Sequence, residues 1–344
     1  MSQPKRIFLV ADFKHGRARA IRAENRHWIK GFMRLGHDVQ CFSYIDMVAQ
    51  LAPVKFGGIM LKLGKKKADE VIAEQIRYYH PDIVMIITMK DMDGETVAGM
   101  KKVAPNAIFV GRDIDWFLES DINKIEVAKK MDIVMNTDAG EFLKAYKKLG
   151  VPRCAFIPCL CDPDIQRPYD VDEKFRSDII FAGKATHGQG ECDDDRFAIV
   201  ERLSRMPNAK VYGAFGQPAI DGLDCFYALG GAKIALSINA VNNVRLYHSD
   251  RFINSLSCGA FVLAKRVPDT DMLFQDGVHL RYFDTADEFF ELADWYLKHD
   301  AERVKIARAG MERAHNEFNC VKMAEHAISL IEKGSYDVPW ATVL

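Results

Sequence analysis

Short apolar runs recur along this chain, each followed by an amphipathic stretch. "RIFLVADF" leads to "AENRHWIKGFMRLG", "DVQCFSY" to "KKADEVIAEQIRYY", "DIVMIIT" to "GETVAGMKKV" and "AIFVGRD" to "INKIEVAKKM". "DIVMNTD" then leads to "EFLKAYKKLG", and "CAFIP" completes the first half. Runs such as "DIVMIIT" lack polar alternation, so both faces of these strands need cover. Strands of that kind alternating with helices are buried as a parallel sheet with helices on either side. The pattern pauses at "CDPDIQRPYDVDEKFRS", a polar segment with two prolines that reads as an interdomain linker. It restarts with "DIIFAG", "DDDRFAIVERLSR", "AKVYG", "KIALSIN", "RFINSLS", "FVLA" and "LRYF", and three helical segments close the chain. The expected fold class is α/β, with two doubly wound Rossmann-like domains facing each other across a cleft. They divide at residues 1–165 and 166–318, and residues 319–344 form a helix and tail packing back towards the first domain. A length of 344 residues suits two domains of ordinary size.

Composition narrows the class. No run of eighteen apolar residues exists, so a membrane span is not expected. The start, "MSQPKRIFLVADF", enters a strand pattern directly, without the apolar core of a signal peptide, which makes the cytoplasm the expected compartment. The eight cysteines are scattered through apolar segments, as reduced core thiols would be, and "CAFIPCLC" lacks the paired spacing of a zinc site. No metal is expected at Asp162 and Asp164 either, because Pro163 between them favours a turn. Residues 1–150 carry 25 Lys and Arg against 19 Asp and Glu, while the remainder carries 22 against 29. The surplus in the first half hints at an anionic partner there.

Ligands of open parallel sheets sit outside the carboxyl ends of the strands, so the post-strand loops are the places to search. After the first strand, "ADFKHGRARAIRAENRHW" offers His15 and then Arg19, Arg22 and Arg26 on one helical face, an acceptor-binding candidate. "RDIDWF" puts Asp113 and Asp115 at a strand end, where a carboxylate could deprotonate an attacking hydroxyl. "FAGKATHGQGECDDD" contributes Gly183, Lys184 and His187, without matching a P-loop or the dinucleotide fingerprint. "VRLYHSDRFINSLSCGAFVLA" is the densest stretch. Arg245, His248, Ser249 and Arg251 enter a short helix there, a set able to hold a pyrophosphate, and Asn254 lies one turn on for a ribose hydroxyl. No G-x-G-x-x-G follows the first strand, which speaks against a Rossmann dehydrogenase.

These segments resemble a known family. "IPCLCDPDIQRP" is similar to the interdomain segment of nucleotide-sugar glycosyltransferases of the GT-B fold. "HSDRFINSLSCGAFVLA" resembles their "RxFExxAxGxxVL" segment. Within the family the chain looks most like the CgeB-like branch, and its layout also resembles the DNA glucosyltransferases of T-even phages. The resemblance implies that Arg251 contacts the donor pyrophosphate and that Gly183 belongs to the donor-phosphate loop. Asn254 stands where the family has its ribose-binding Glu, and Leu246 stands where it has the other carboxylate of the E-x7-E pair. It further implies metal-independent transfer from a nucleotide diphosphate sugar, a UDP-sugar above all, with no tightly bound cofactor. Asp113, His15 or Asp115 would act as base, and the acceptor could be an anionic polymer such as hydroxymethylated phage DNA or a cell-surface glycan. The absent carboxylates keep two alternatives open: a non-catalytic nucleotide-sugar-binding protein, and a nucleotide-sugar epimerase on the same architecture.

Overall fold

The computed structural model describes residues 3–13, 23–53, 58–185 and 194–344. The chain divides into two compact units, residues 1–157 with 321–344, and residues 158–320. In the first unit, β1 (Arg6–Val10), β2 (Asp38–Phe42), β3 (Ile83–Ile87), β4 (Ile108–Asp113), β5 (Ile133–Asn136) and β6 (Arg153–Phe156) form a parallel sheet in the order β2-β1-β3-β4-β5-β6. All five residues of β3 and all four of β5 are buried, which is why neither shows alternation in sequence. Helices Ala23–Arg34, Gly58–Tyr79, Gly94–Val103, Ile122–Ala128 and Glu141–Lys148 connect the strands, and a short helix Tyr44–Leu51 precedes the second of them. Asp93 opens helix Gly94–Val103 by accepting the Thr96 amide at 3.0 Å. The last residues of the chain return to this unit. Val343 pairs antiparallel with Ala155 on β6, and Trp340 meets the Phe156 ring edge-on at 5.8 Å.

In the second unit, β7 (Ser177–Ala182), β8 (Ala209–Tyr212), β9 (Ala232–Ser237), β10 (Phe261–Lys265) and β11 (Arg281–Phe283) form a parallel sheet ordered β11-β10-β9-β7-β8. Ile179, Phe181, Ile234, Leu236, Phe261 and Leu263 from the sheet pack with Phe289 and Tyr296 of helix Ala286–Lys298. The segment expected as a linker is instead part of this unit. Asp162 and Gln166 are buried, and the Asp162 amide donates to Gln166 Oε1 at 2.6 Å. Its polarity misled because the polar groups bond each other inside the unit.

Both sheets share one topological feature. In each, the first strand has the second on one side and the third on the other, so the winding reverses between β1 and β3 and between β7 and β9. Such reversal points splay the post-strand loops apart and leave a crevice at the carboxyl ends. Among the described residues no helix is long and apolar enough to cross a membrane.

Candidate functional site

Arg251 occupies the reversal point of the second sheet. It lies in helix Asp250–Ser257, and its guanidinium reaches back to the ends of both central strands. Nε donates to the Ala182 carbonyl at 2.7 Å and Nη1 to the Ile238 carbonyl at 2.9 Å, while the group lies 4.9 Å above the Phe181 ring. Nη2 makes no hydrogen bond to a described residue, and no carboxylate among them lies within ion-pair distance. Burial, and then the neighbouring Arg196, push the Arg251 pKa down to about 10, which leaves it cationic at neutral pH. A fixed, largely desolvated cation without a counter-ion is a site for an anion.

The surroundings are fitted to that guanidinium. A Cβ on Gly183 would collide with it, standing 3.2 Å from Cζ and 3.3 Å from Nε. Only glycine lets the loop after β7 pass so close. Arg196, which the sequence gave no reason to select, is buried and donates from Nη2 to the Lys184 carbonyl of the same loop. The Lys184 side chain itself is exposed, and His187 lies outside the described residues.

The helix N-terminus beside Arg251 is open. Ser249 is its N-cap in extended geometry, yet its hydroxyl makes no capping bond, and Oγ is buried without a partner. The loop leading to it is rigidly tied. Asn239 accepts the Ser249 amide at 3.2 Å and donates to the Tyr247 carbonyl at 3.2 Å, and Asn242 bonds the Asn239 main chain at 3.1 and 3.0 Å. Two asparagines directly after β9, in "SINAVNN", were the available signal for this support. Leu246 is fully buried with φ +57, a left-handed conformation costing about 1–3 kcal/mol in a bulky residue. Its amide donates to the Pro268 carbonyl at 2.9 Å, which helps hold that geometry.

Two expected donor ligands are placed differently. His248 is buried, its Nε2 accepting the Cys159 amide at 3.2 Å and its Nδ1 facing the Leu246 carbonyl at 2.9 Å. Both ring nitrogens serve the main chain, so His248 positions the loop rather than a ligand. Arg245 pairs with Asp269 at 2.6 Å on the surface, so its charge is already matched. Asn254 accepts from Gln166 Nε2 through Oδ1.

In the first unit the expected base has partners of its own. Asp113 is buried, with Oδ2 3.1 Å from Lys124 Nζ and also accepting from Tyr146 Oη, while Oδ1 accepts the Asp115 amide at 3.2 Å. Burial raises its pKa against the opposing pull of Lys124. Asp115 forms an exposed pair with Lys90 at 2.9 Å. Arg26 is exposed on helix Ala23–Arg34, while His15, Arg19 and Arg22 lie outside the described residues. The first unit also holds a buried pair absent from the sequence reading. Arg112 Nε donates to Glu24 Oε1 at 2.9 Å, and the Trp28 indole donates to the same oxygen at 3.2 Å. The 88 residues between Glu24 and Arg112 hide this pair from any local pattern.

Two doubly wound parallel sheets of six and five strands match the GT-B fold. Residues 196–329 match the family model described as "Glycosyl transferase-like". No curated protein sequence matches the chain. Among solved structures, the chain is similar to Anabaena Alr3699/HepE in complex with UDP-glucose, at 12% identity and TM-score 0.62, covering 96% of this chain and 100% of that one. It is similar to sucrose-phosphate synthase from Thermosynechococcus elongatus at 13% identity and TM-score 0.64, covering 96% and 98%. A UDP-N-acetylglucosamine 2-epimerase shares the fold at 11% identity and TM-score 0.52, covering 98% and 99%.

Proposed function

We propose that this chain transfers a sugar from a nucleotide diphosphate sugar, with uridine as the nucleoside, to an acceptor hydroxyl. The Arg251 guanidinium carries the reading, because it is pinned at the β7/β9 reversal point with Nη2 unspent beside an open helix N-terminus. A diphosphate completes that arrangement. One phosphate takes Arg251 Nη2, and the other takes the Ser249 hydroxyl and the first amides of the helix. As the bond between the anomeric carbon and the diphosphate oxygen breaks, negative charge grows on the leaving group. Donors already held in place stabilise that charge without reorganising, the role a metal ion fills elsewhere. The acceptor oxygen attacks the anomeric carbon and gives its proton to a base. With Asp113 and Asp115 committed to cations, this reading gives that role to His15. The family match across residues 196–329 and the UDP-glucose held by HepE support the donor class.

Thermal stabilisation by UDP, UDP-sugars and other nucleoside diphosphates, measured beside Arg251→Ala, tests the reading. A ligand at a hundredfold its Kd stabilises the folded state by about 2.7 kcal/mol. Stabilisation by uridine nucleotides that disappears in Arg251→Ala supports the donor site, and no stabilisation by any nucleotide refutes it. The likeness to a 2-epimerase makes one further assay informative. A sugar epimerised without acceptor would replace transfer by epimerisation.

A further inference from the structure

We propose that residues 336–344 are an exchangeable strand. The outer edge of β6 is a docking edge for this segment, and a second copy of the chain can supply it in place of the chain's own.

β6 ends the first sheet, with β5 on one side and no other strand of the sheet beyond it. Such an edge offers main-chain donors and acceptors to any extended segment that reaches it. Here residues 342–344 take them, running antiparallel. The Cys154 amide donates to the Leu344 carbonyl at 3.0 Å, the Leu344 amide to the Cys154 carbonyl at 2.8 Å, and the Phe156 amide to the Thr342 carbonyl at 2.9 Å. Pairing through the main chain fixes where a strand lies, whichever copy supplies it. Two side chains anchor the segment. Tyr336 Oη donates to the Phe156 carbonyl and accepts the Thr342 amide at 3.4 Å. Trp340 is 5% exposed and packs among Phe156, His326 and Tyr336, with ring centroids 5.8, 5.6 and 5.7 Å away. Asp337, Pro339 and Ala341 between and beside these anchors are exposed.

The hinge lies just before the anchors. Gly334 follows helix Cys320–Lys333 at φ +79, left-handed geometry that glycine adopts without strain. The pairing with β6 lies beyond this turn, so rotation at Gly334 swings the segment away as one piece. A short hinge beside an edge strand is the arrangement in which identical segments exchange between copies. Gly334 and Ser335 alone separate the segment from its helix, so the chain's own strand competes at an effective concentration on the order of mM. Exchange therefore belongs to conditions that disfavour the closed hinge. The occupant is a second copy rather than an unrelated peptide, because Tyr336 of the segment itself forms part of the seat for Trp340.

Gly334→Val tests this. It puts a β-branched residue into left-handed geometry and keeps the contacts of residues 336–344, so it opposes closure within one chain more than pairing between two. In sedimentation runs over a concentration series, the variant should shift to a dimer where wild type keeps one mass. A synthetic peptide of residues 336–344 should return it to the wild-type mass, and the same peptide with Trp340→Ala should need a concentration about tenfold higher or more. An unchanged mass across the series would overturn the proposal, as would a dimer that the peptide leaves intact. If Gly334→Val does not fold, Trp340→Ala decides, because it empties the seat and spares the hinge. It should bind the fluorescently labelled peptide that wild type excludes. Failure to bind, or equal binding by wild type, overturns the proposal. Loss of a cooperative thermal transition in both variants also overturns it, since the segment would then be integral to the fold.

Discussion

Replacing Asp138 by Asn should remove a pH-dependent destabilisation from the first unit. Asp138 follows β5, is fully buried, and accepts the Gly140 and Leu143 amides through Oδ1 at 2.8 and 3.2 Å. Its Oδ2 is buried without a partner. Desolvation therefore outweighs the amide bonds and raises its pKa to about 6, against an ordinary 3.8, with the charge on Asp113 adding to the rise. A raised folded pKa means the native state binds the proton more tightly than the unfolded chain. The resulting stabilisation is complete below about pH 3.8 and lost as pH rises through about 6. At about 1.4 kcal/mol per pH unit between those values, the ionised carboxylate weakens the fold by about 3 kcal/mol at neutral pH. Asparagine keeps Oδ1 for the two amides and carries no charge. Urea denaturation of both proteins between pH 4 and 7.5 should give curves that meet near pH 4, with the variant the more stable by about 3 kcal/mol at pH 7. Comparing the two cancels the opposite trend of carboxylates held low, such as Asp93 beside the Thr96 donors and Lys65. Parallel curves would refute the argument, because they would place the same charge cost in the unfolded chain.

Three further outcomes are expected. Gly183→Ala should displace the Arg251 guanidinium from the Ala182 and Ile238 carbonyls, and calorimetry should then show UDP affinity reduced about tenfold or more. Arg251→Lys should fail to rescue that affinity, because an ammonium cannot hold two strand-end carbonyls and a phosphate in three fixed directions. Arg112→Met should strand the buried Glu24 carboxylate and lower stability by about 3–5 kcal/mol in urea denaturation, far more than replacing an exposed pair such as Lys90 with Asp115.

Much of the architecture was already legible in local pattern. Continuous apolar runs predicted strands buried on both faces, and helix Gly94–Val103 has the bounds its sequence suggested. The reason is that burial of a strand or helix face is written in the spacing of its own residues. Gly183 after a strand and Arg251 entering a helix were local signals in the sequence, and the fold brings the two side by side. The roles of their neighbours were not legible there. His248 and Arg251 are three residues apart and both polar, yet one is spent on the Cys159 amide and the other keeps an unspent nitrogen at the strand ends. Asp113 had the position of a base, and only the tertiary structure showed Lys124 and Tyr146 folded onto it. The strained turn at Thr88 had no signal at all, since nothing in "IITMKD" marks a left-handed threonine. Sequence by itself determined which elements form, because periodicity and propensity act over a few residues. Tertiary structure alone decided which polar groups are satisfied and which are left for a ligand, because a hydrogen-bond partner is chosen by distance in space, as between Cys159 and His248, 89 positions apart along the chain.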